Sequence, residues 1–558
     1  MAQLILDVLA EGRTLVCDAG LSVWGGVDPA TGTIVDAQHP QRGESLAGRV
    51  VLMPTSRGSC SGSAVLLGLV LAGRGPAALV FGAREEVLTL GALVAARLFG
   101  RALPVVRLGA EDYARVARSG RVAIGDGRLV ADRVSLDLAP LGDGLALDDR
   151  DREFLSGTHG RAARLAMGII CDMARVQGAT GLLDVTRAHI DGCIYADPAF
   201  LAFARMMADL GARVRVPTTT NAISVDRENW RAQGVDGDFG TAAQALADAY
   251  VSMGAAPSFT CAPYLLDDPP ARGEVIAWSE SNAVVFANSV LGARTAKHAD
   301  LLDLCIAMTG RAPASGVYLD AGRVARRVVD VAMPPGADDA AWPLLGWLLG
   351  QASPDRVPLV RGLDGSRPGA DDLKALCAAF GTTSAAPMLH VAGVTPEGDA
   401  PPAPDADHVR IRLADFRRGW ADLNRGSTSV DLVAIGSPHA SAAECRGFLA
   451  ALGDRRCDGA RAMATVGRAT LTGLDRDGTL AALGARGVRV LPDLCWCSIT
   501  EPVFPPDARV VMTNSAKYAH YGPSLSGRAL RFASLADCAE AAVTGRAPGR
   551  PRWLEGVE

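Results

Sequence analysis

Short apolar runs, separated by polar and glycine-rich turns, recur along the chain. Near the start, 50–53 (Val-Val-Leu-Met) reads as a buried strand that stops at Pro54. Residues 64–72 then read as a buried helix, 77–81 as a second strand, 87–99 as a second helix and 103–108 as a third strand. Strands alternating with helices predict an α/β layer. Residues 28–48, rich in Gly, Asp, Pro and Thr, predict turns between short strands. An acidic, glycine-rich stretch predicts a linker at 141–152, between a small domain at 1–140 and a large one at 153–558. Beyond it the pattern predicts a strand at 182–188, a helix at 199–210, a strand at 214–216 ending at Pro217, a helix at 241–253 and a strand-like core at 283–287. Pro396, Pro401, Pro402 and Pro404 predict a long surface loop or internal boundary over 396–407. In the tail, strands at 431–435, 461–466, 488–491 and 509–512 alternate with helices at 440–452 and 474–485. That order predicts a parallel sheet with crossover helices.

Composition narrows the class. A chain of 558 residues, 49% hydrophobic and 21% charged, has material for two to four domains with large cores. A net charge of −5 argues against a nucleic-acid surface. No basic region precedes the first apolar stretch, so no signal peptide is expected. The apolar runs fall far short of the roughly 18 residues of a membrane span. The expectation is a soluble cytoplasmic protein with no nucleic-acid or membrane partner. Of twelve cysteines only Cys495 and Cys497 lie close together, as C-x-C, and disulfides are not expected.

Several segments can carry chemistry. Residues 57–63 (Arg-Gly-Ser-Cys-Ser-Gly-Ser) lie between a predicted strand and a helix, where free N–H groups favour an anion. A serine there can serve as a base only if its alkoxide is strongly stabilised, for instance by Arg57. The same residues also suit a plain turn with an N-cap serine. His189 and Asp191, two apart at a predicted strand end, point to one face, as a proton-transfer or metal site or as a structural pair. Glu280, Asn282, Asn288, Ser289 and Arg294 flank the apolar core at 283–287 and can line a polar pocket. Cys261, His439 and Cys495 sit at strand or loop ends. Lys517, Tyr518, His520 and Tyr521 crowd five positions, more than a solvated loop ordinarily holds.

Taken in order, these segments resemble the aconitase X family over nearly the whole chain. The most specific are RGSCSGS (57–63), AHIDGCIY (188–195), VPTTTNAISVD (216–226), TCAPYL (260–265), SESNAVVFANSVLGART (279–295), DLCIAMTGRAP (303–313), GSPHAS (436–441) and TNSAKYAHYGP (513–523). The resemblance implies an aconitase-like α/β fold, with a small swivelling domain fused to a large multi-lobed catalytic domain. It implies an iron-dependent hydro-lyase, holding an iron–sulfur cluster of the 2Fe-2S kind or a mononuclear iron. The fused form implies dehydration of cis-3-hydroxy-L-proline, a cyclic hydroxy amino acid, to Δ1-pyrroline-2-carboxylate. Alternatives are the same chemistry on another hydroxy acid, such as mevalonate 5-phosphate, and, more distantly, a non-catalytic iron-sensing binding protein. A homo-oligomer is compatible with the family.

By the same resemblance Ser61 is the base, ahead of Ser63 and Ser59, with Arg57, His189 and Lys517 as further catalytic groups. Ser59, Asp191, Glu280, Asn282, Ser289, Arg294, His439 and Tyr521 are expected at the substrate. Cys261 and Cys495 are expected to hold iron. Ser437 stands where the family pattern calls for cysteine, which leaves Cys193 as third ligand and Cys305 as its alternative. Ala296 and Lys297 stand where the pattern has Asn and Arg.

Overall fold

The computed structural model describes residues 2–36, 38–132, 134–363 and 365–556. The N-terminal part is built on a nine-stranded mixed sheet. Ala10–Val16, Val50–Met53, Ala78–Phe81 and Val105–Arg107 run parallel side by side. Val50–Met53 and Ala78–Phe81 are wholly buried, as apolar runs without alternation require of strands covered on both faces. A ribbon of Arg121–Gly125, Arg128–Ala131 and Val134–Asp137 continues the sheet on one side. Gln3–Leu6 and Ala139–Pro140 close the other. Helices Gly62–Leu71 and Val87–Phe99 pack together and onto the next part of the chain. Val65, Leu66, Met167, Ile170 and Phe200 share one continuous core.

The stretch expected to be a linker is a linker only in part. Asp149–Ser156 is a helix, opened by a capping box between Asp148 and Asp151. Asp151 is fully buried and takes two hydrogen bonds from Arg311 (2.8 and 3.1 Å), which also reaches Asp148 and Asp184. Two of the four acidic residues of the expected linker, Asp148 and Asp151, are thus partners of one arginine, while Asp143 and Asp149 pair with Arg175 and Arg152.

The large part holds three parallel sheets. In the first, Ala188–Ile190 lies between Thr218–Thr220 and Ala277–Trp278. The run at 182–188 is therefore two strands in different sheets, since Leu182–Asp184 pairs with Arg311–Pro313 instead. The strand expected at 214–216 begins later, at Thr218, after Pro217. The apolar core at 283–287 is not a strand. Ser281–Phe286 is a helix that runs into a π-turn at Ala287–Leu291, and burial on every side removed the periodicity that would have shown it. The second sheet orders His390–Val391, Pro358–Arg361, Arg327–Val331 and Asp407–Ile411. The proline-rich stretch is an irregular connection inside this sheet, not a boundary, because the strands on either side of it belong together. The third is a five-stranded parallel sheet with Leu432–Ile435 at its centre. Its strands match the tail pattern, while the helix expected at 474–485 is two, Arg468–Arg476 and Thr479–Ala485. No helix among the described residues is long and apolar enough to cross a membrane.

Candidate active site

In parallel α/β sheets polar groups collect where the strands end, because the chain turns there and leaves backbone and side chains unpaired. Three such ends converge here. Adjacent strands Ala188–Ile190, Thr218–Thr220 and Ala277–Trp278 finish side by side and deliver Asp191, Asn221 and Glu280. The five-stranded sheet contributes Ser437–His439 after Leu432–Ile435, Cys495 and Cys497 after Val488–Pro492, and Lys517 after Val510–Thr513. The N-terminal sheet contributes Ser59 and Ser61 after Val50–Met53. A small cavity of about 30 Å³ lies between them. It is lined by Ser59, Ser61, Asp191, Glu280, Cys495, Cys497, Lys517 and Tyr521, and walled by Trp24, Ala378 and Thr382. A wider cleft of about 360 Å³ shares Trp24, Thr382 and Tyr521 with it.

Ser61 occupies the N-cap position of helix Gly62–Leu71, yet its side chain makes no capping bond. Its hydroxyl faces the cavity and accepts a 3.3 Å hydrogen bond from Ser59. Ser63 is turned away, fully buried, with its hydroxyl committed to the carbonyls of Cys60 and Asp300 (both 3.0 Å). Arg57 does not enter the cavity. It pairs with Asp36 at 3.0 Å, because the loop turns outward at Gly58. Gly58 has φ +84°, and a Cβ there would meet Ser22 Oγ at 2.5 Å. Gly58→Ala is expected to cost about 1–3 kcal/mol through that strain and to lower kcat by moving Ser59 and Ser61. Thermal unfolding together with kcat measures both.

Glu280 and Lys517 form a buried ion pair at 2.8 Å. Burial alone raises the carboxyl, but the Lys517 ammonium more than offsets it and holds Glu280 below its ordinary range. Burial likewise lowers the lysine, and Glu280 with the nearby sulfurs holds it well above its ordinary value. Glu280 also accepts from Asn282 Nδ2 (2.6 Å) and Asn221 (3.2 Å), and Asn221 donates to Asp191 as well. Asn282 ties this network to the Cys261 carbonyl at 2.9 Å. Stability from a lowered carboxyl is present above its unfolded pKa and lost as pH falls through the folded one. Stability from a raised lysine is lost only as pH rises past its unfolded value. The pair therefore supports the fold throughout the neutral range. Lys517→Met, which leaves Glu280 buried and alone, is expected to cost about 3–5 kcal/mol near pH 7. The loss should shrink at acid pH, where Glu280 protonates; denaturant unfolding at several pH values checks it.

Cys261, Cys495 and Cys497 are chained by their side chains. Cys495 accepts hydrogen bonds from the Cys261 and Cys497 thiols and lies beside Lys517, which together hold it well below the ordinary thiol range. Burial and the Cys495 contact push Cys261 up, and donation to Cys495 pushes Cys497 up. The backbone N–H of His439 reaches Cys261 Sγ at 3.3 Å, and that of Cys497 reaches Cys495 Sγ at 3.4 Å. Among the described residues no three His, Cys, Asp or Glu side chains close around a point as ligands of a single ion do. The expected third ligands lie elsewhere. Cys193 Sγ faces the Ile190 carbonyl at 3.5 Å, and Cys305 is buried within helix Leu302–Thr309. Ser437 is buried with its hydroxyl unpartnered.

The remaining expected residues divide. Asp191, Glu280, Ser59 and Tyr521 reach the cavity. His189 is fully buried, bonded to Thr219 at 2.8 Å, and burial lowers its pKa to about 4, so it is a neutral imidazole near Glu280. His439 spends its ring nitrogens on Leu494 O (2.7 Å) and Thr260 Oγ1 (3.2 Å), fixing the two cysteine-bearing loops. Ser289 accepts from Leu389 N (3.0 Å), and Arg294 binds the Tyr318 carbonyl and Asp320; both lie outside the cavity. Sequence reasoning missed Asn221 and Cys497. The first was legible only as part of a shared motif, the second only as the C-x-C spacing.

Residues 2–131 match the aconitase X swivel domain, and 144–321, 325–421 and 430–544 match the aconitase X first, second and third domains. The chain belongs to the aconitase X family. It is 50% identical, over 98% of its length and 97% of the relative's, to a cis-3-hydroxy-L-proline dehydratase of Pseudomonas aeruginosa. It is 46% identical to another of Hypocrea jecorina, over 96% and 94%. A phosphomevalonate dehydratase large subunit of Methanothermobacter thermautotrophicus is 32% identical over 68% of this chain and 94% of that subunit. The crystal structure of Thermococcus kodakaraensis aconitase X in its holo-form superposes with a TM-score of 0.65 at 28% identity, covering 72% of this chain and all of that one.

Proposed function

We propose that this protein is a hydro-lyase that dehydrates cis-3-hydroxy-L-proline to Δ1-pyrroline-2-carboxylate. The observation that carries the substrate is the charge of the cavity. Its lining has one cation, Lys517, and two carboxyl groups: Glu280, paired to that cation, and Asp191, which burial and the neighbouring Asp300 and Glu280 push well up and which a substrate ammonium would return to its charged form. A zwitterionic amino acid fits that set, its carboxylate on the Lys517 ammonium and its ring ammonium toward Asp191. A phosphorylated hydroxy acid would bring added negative charge to a lining whose one cation, among the described residues, is Lys517, with the nearby Lys297 committed to the Gly381 and Ser384 carbonyls. The identity to two full-length cis-3-hydroxy-L-proline dehydratases supports the same reading.

Ser61 takes the Cα proton. Its oxygen lies at the start of a helix, where the aligned N–H groups favour developing negative charge, and its hydroxyl is not consumed by capping. The Cα–H electrons form the new double bond as the C3 hydroxyl departs, and the enamine tautomerises to the imine. The three convergent thiols, an all-sulfur set near Lys517, suit an iron–sulfur cluster rather than a single ion, around which no three ligand side chains of the described residues close. Cys261, Cys495 and Cys497 would hold it, and when bound it would supply Lewis-acid assistance to hydroxyl departure. Because the cavity is small and lined from both the N-terminal domain and the large part, substrate entry requires the two to separate.

The test is anaerobic reconstitution with iron followed by assay of cis-3-hydroxy-L-proline for imine. Turnover is expected. An iron-loaded sample that leaves the substrate untouched refutes the assignment.

A further inference from the structure

Asp300 is fully buried and belongs to none of the networks above. Its neighbour Asp303 is accounted for, since its two oxygens accept from the N–H groups of Asp191 and Leu304 (both 2.7 Å). Neither oxygen of Asp300 has a hydrogen-bond partner among the described residues. The polar side chains beside its carboxyl are Asp191 and Ser61, both of which line the cavity. The backbone explains why it stays there. Its N–H donates to the Cys60 carbonyl at 3.2 Å, and its own carbonyl accepts from Ser63 Oγ at 3.0 Å. The serine loop of the swivel domain thus clasps Asp300 on both sides of its α-carbon, and Ser61, between those two contacts in sequence, is carried to the carboxyl. Leu301, next in the chain, has φ +83°, an unusual conformation for a bulky residue that turns the chain from this loop into helix Leu302–Thr309.

We propose that Asp300 is a positioning residue for proton transfer, its carboxylate accepting the Ser61 hydroxyl proton as the Ser61 oxygen takes the substrate Cα proton. The inference rests on the function proposed above and deepens it. In the step, the Cα–H and Ser61 O–H bonds break, while a new Ser61 O–H and a carboxyl O–H form. The Cα–H electron pair becomes the Cα=C3 bond and the C3–O bond opens. The departing hydroxyl takes up one proton to leave as water, which equals the proton gained by Asp300, so the enzyme ends each cycle unchanged. A serine hydroxyl is too weak an acid to act as a base alone, and a buried carboxylate beside it removes that difficulty. The arrangement also makes the site incomplete unless the swivel domain is docked.

The environment sets the pH at which this works. Burial, then the charge of Asp303, pushes the Asp300 carboxyl up to about 8; Asp191 and Ser61 oppose this, and Glu280 adds to it. Cys60, Cys193 and Tyr250 face the same region, but burial pushes all three well up, so they stay neutral; burial and the Asp300 and Glu280 carboxyls push Asp191 well up too, leaving Asp300 as the member of that pair that ionises first. The base form requires a charged carboxylate, so kcat/KM should rise with pH until about 8 and then level. Asp300→Asn is expected to lower kcat about 10²-fold with KM little changed, and to abolish that rising limb. Asp300→Glu should restore part of the rate. A merely structural role would lower the rate without altering the pH profile.

A second readout needs no substrate. In wild type, the infrared carbonyl band of a buried carboxylic acid should fade as pH passes about 8. That titrating component should be missing in Asp300→Asn, where the Asp191 band remains, and shifted in Ser61→Ala. Wild type active on cis-3-hydroxy-L-proline, with Asp300→Asn keeping the pH limb, overturns the relay alone. Wild type inactive on that substrate overturns the function proposed above, and the infrared comparison of wild type with Ser61→Ala still decides whether the two groups interact. A band that does not titrate, or does not respond to Ser61→Ala, overturns the pairing even where Asp300→Asn fails to fold.

Discussion

Ser61→Ala is expected to abolish measurable turnover of cis-3-hydroxy-L-proline while the protein folds normally and takes up as much iron on reconstitution as wild type does. The hydroxyl is removed from a side chain that makes no capping bond to helix Gly62–Leu71; its neighbours are Ser59, from which it accepts a long bond, and the Asp300 carboxyl. A change at an N-cap serine ordinarily costs about 1 kcal/mol of stability; here that interaction is absent, so the melting temperature should hardly move. Loss of a base typically costs about 10²–10⁴ in rate. Ser63 is the informative control. Its hydroxyl joins Cys60 to Asp300, so Ser63→Ala should loosen the docked loop and lower stability as well as rate. Turnover by Ser61→Ala within tenfold of wild type would assign the base elsewhere.

The second large effect is expected at Cys495. It is the sulfur on which Cys261 and Cys497 converge, and the one whose thiolate is favoured by both thiols and by Lys517. Cys495→Ser should abolish iron binding, read as iron content and as loss of visible absorption after anaerobic reconstitution. If several kcal/mol of leaving-group assistance go with it, the rate falls by about 10³-fold or more. Cys193→Ser and Cys305→Ser should retain full iron content, since neither thiol faces the chain of three. An iron-replete Cys495→Ser protein, or an iron-free Cys193→Ser one, would reverse the assignment of the sulfurs.

The serine loop shows how a local pattern was informative and incomplete. Its place between Val50–Met53 and a buried helix was legible, because a wholly apolar run followed by Pro, Gly and Ser has few other readings. Which serine faces the cavity was not, because the three differ only in what surrounds them in space. The same holds for Arg57, whose charge suggested an anion site but whose partner, Asp36, lies 21 residues away. The helix at Ser281–Phe286 was hidden for a different reason. Both its faces are buried, so no polar stripe marks the period.

By itself the sequence determined the class of fold, since strand and helix periods are local properties that survive without partners. Its shared motifs also determined the family and, with it, the kind of chemistry. Tertiary structure decided the site. Asp191, Asn221 and Glu280 become neighbours only because three parallel strands end in register. Cys261 meets Cys495 and Cys497, rather than Cys193 or Cys305, because loops from two sheets converge on Lys517. Asp300 faces Ser61 only when the swivel domain is docked against the large one. Each of these contacts depends on residues tens to hundreds of positions apart, whose distance is set by packing of whole sheets and is not written in any local pattern.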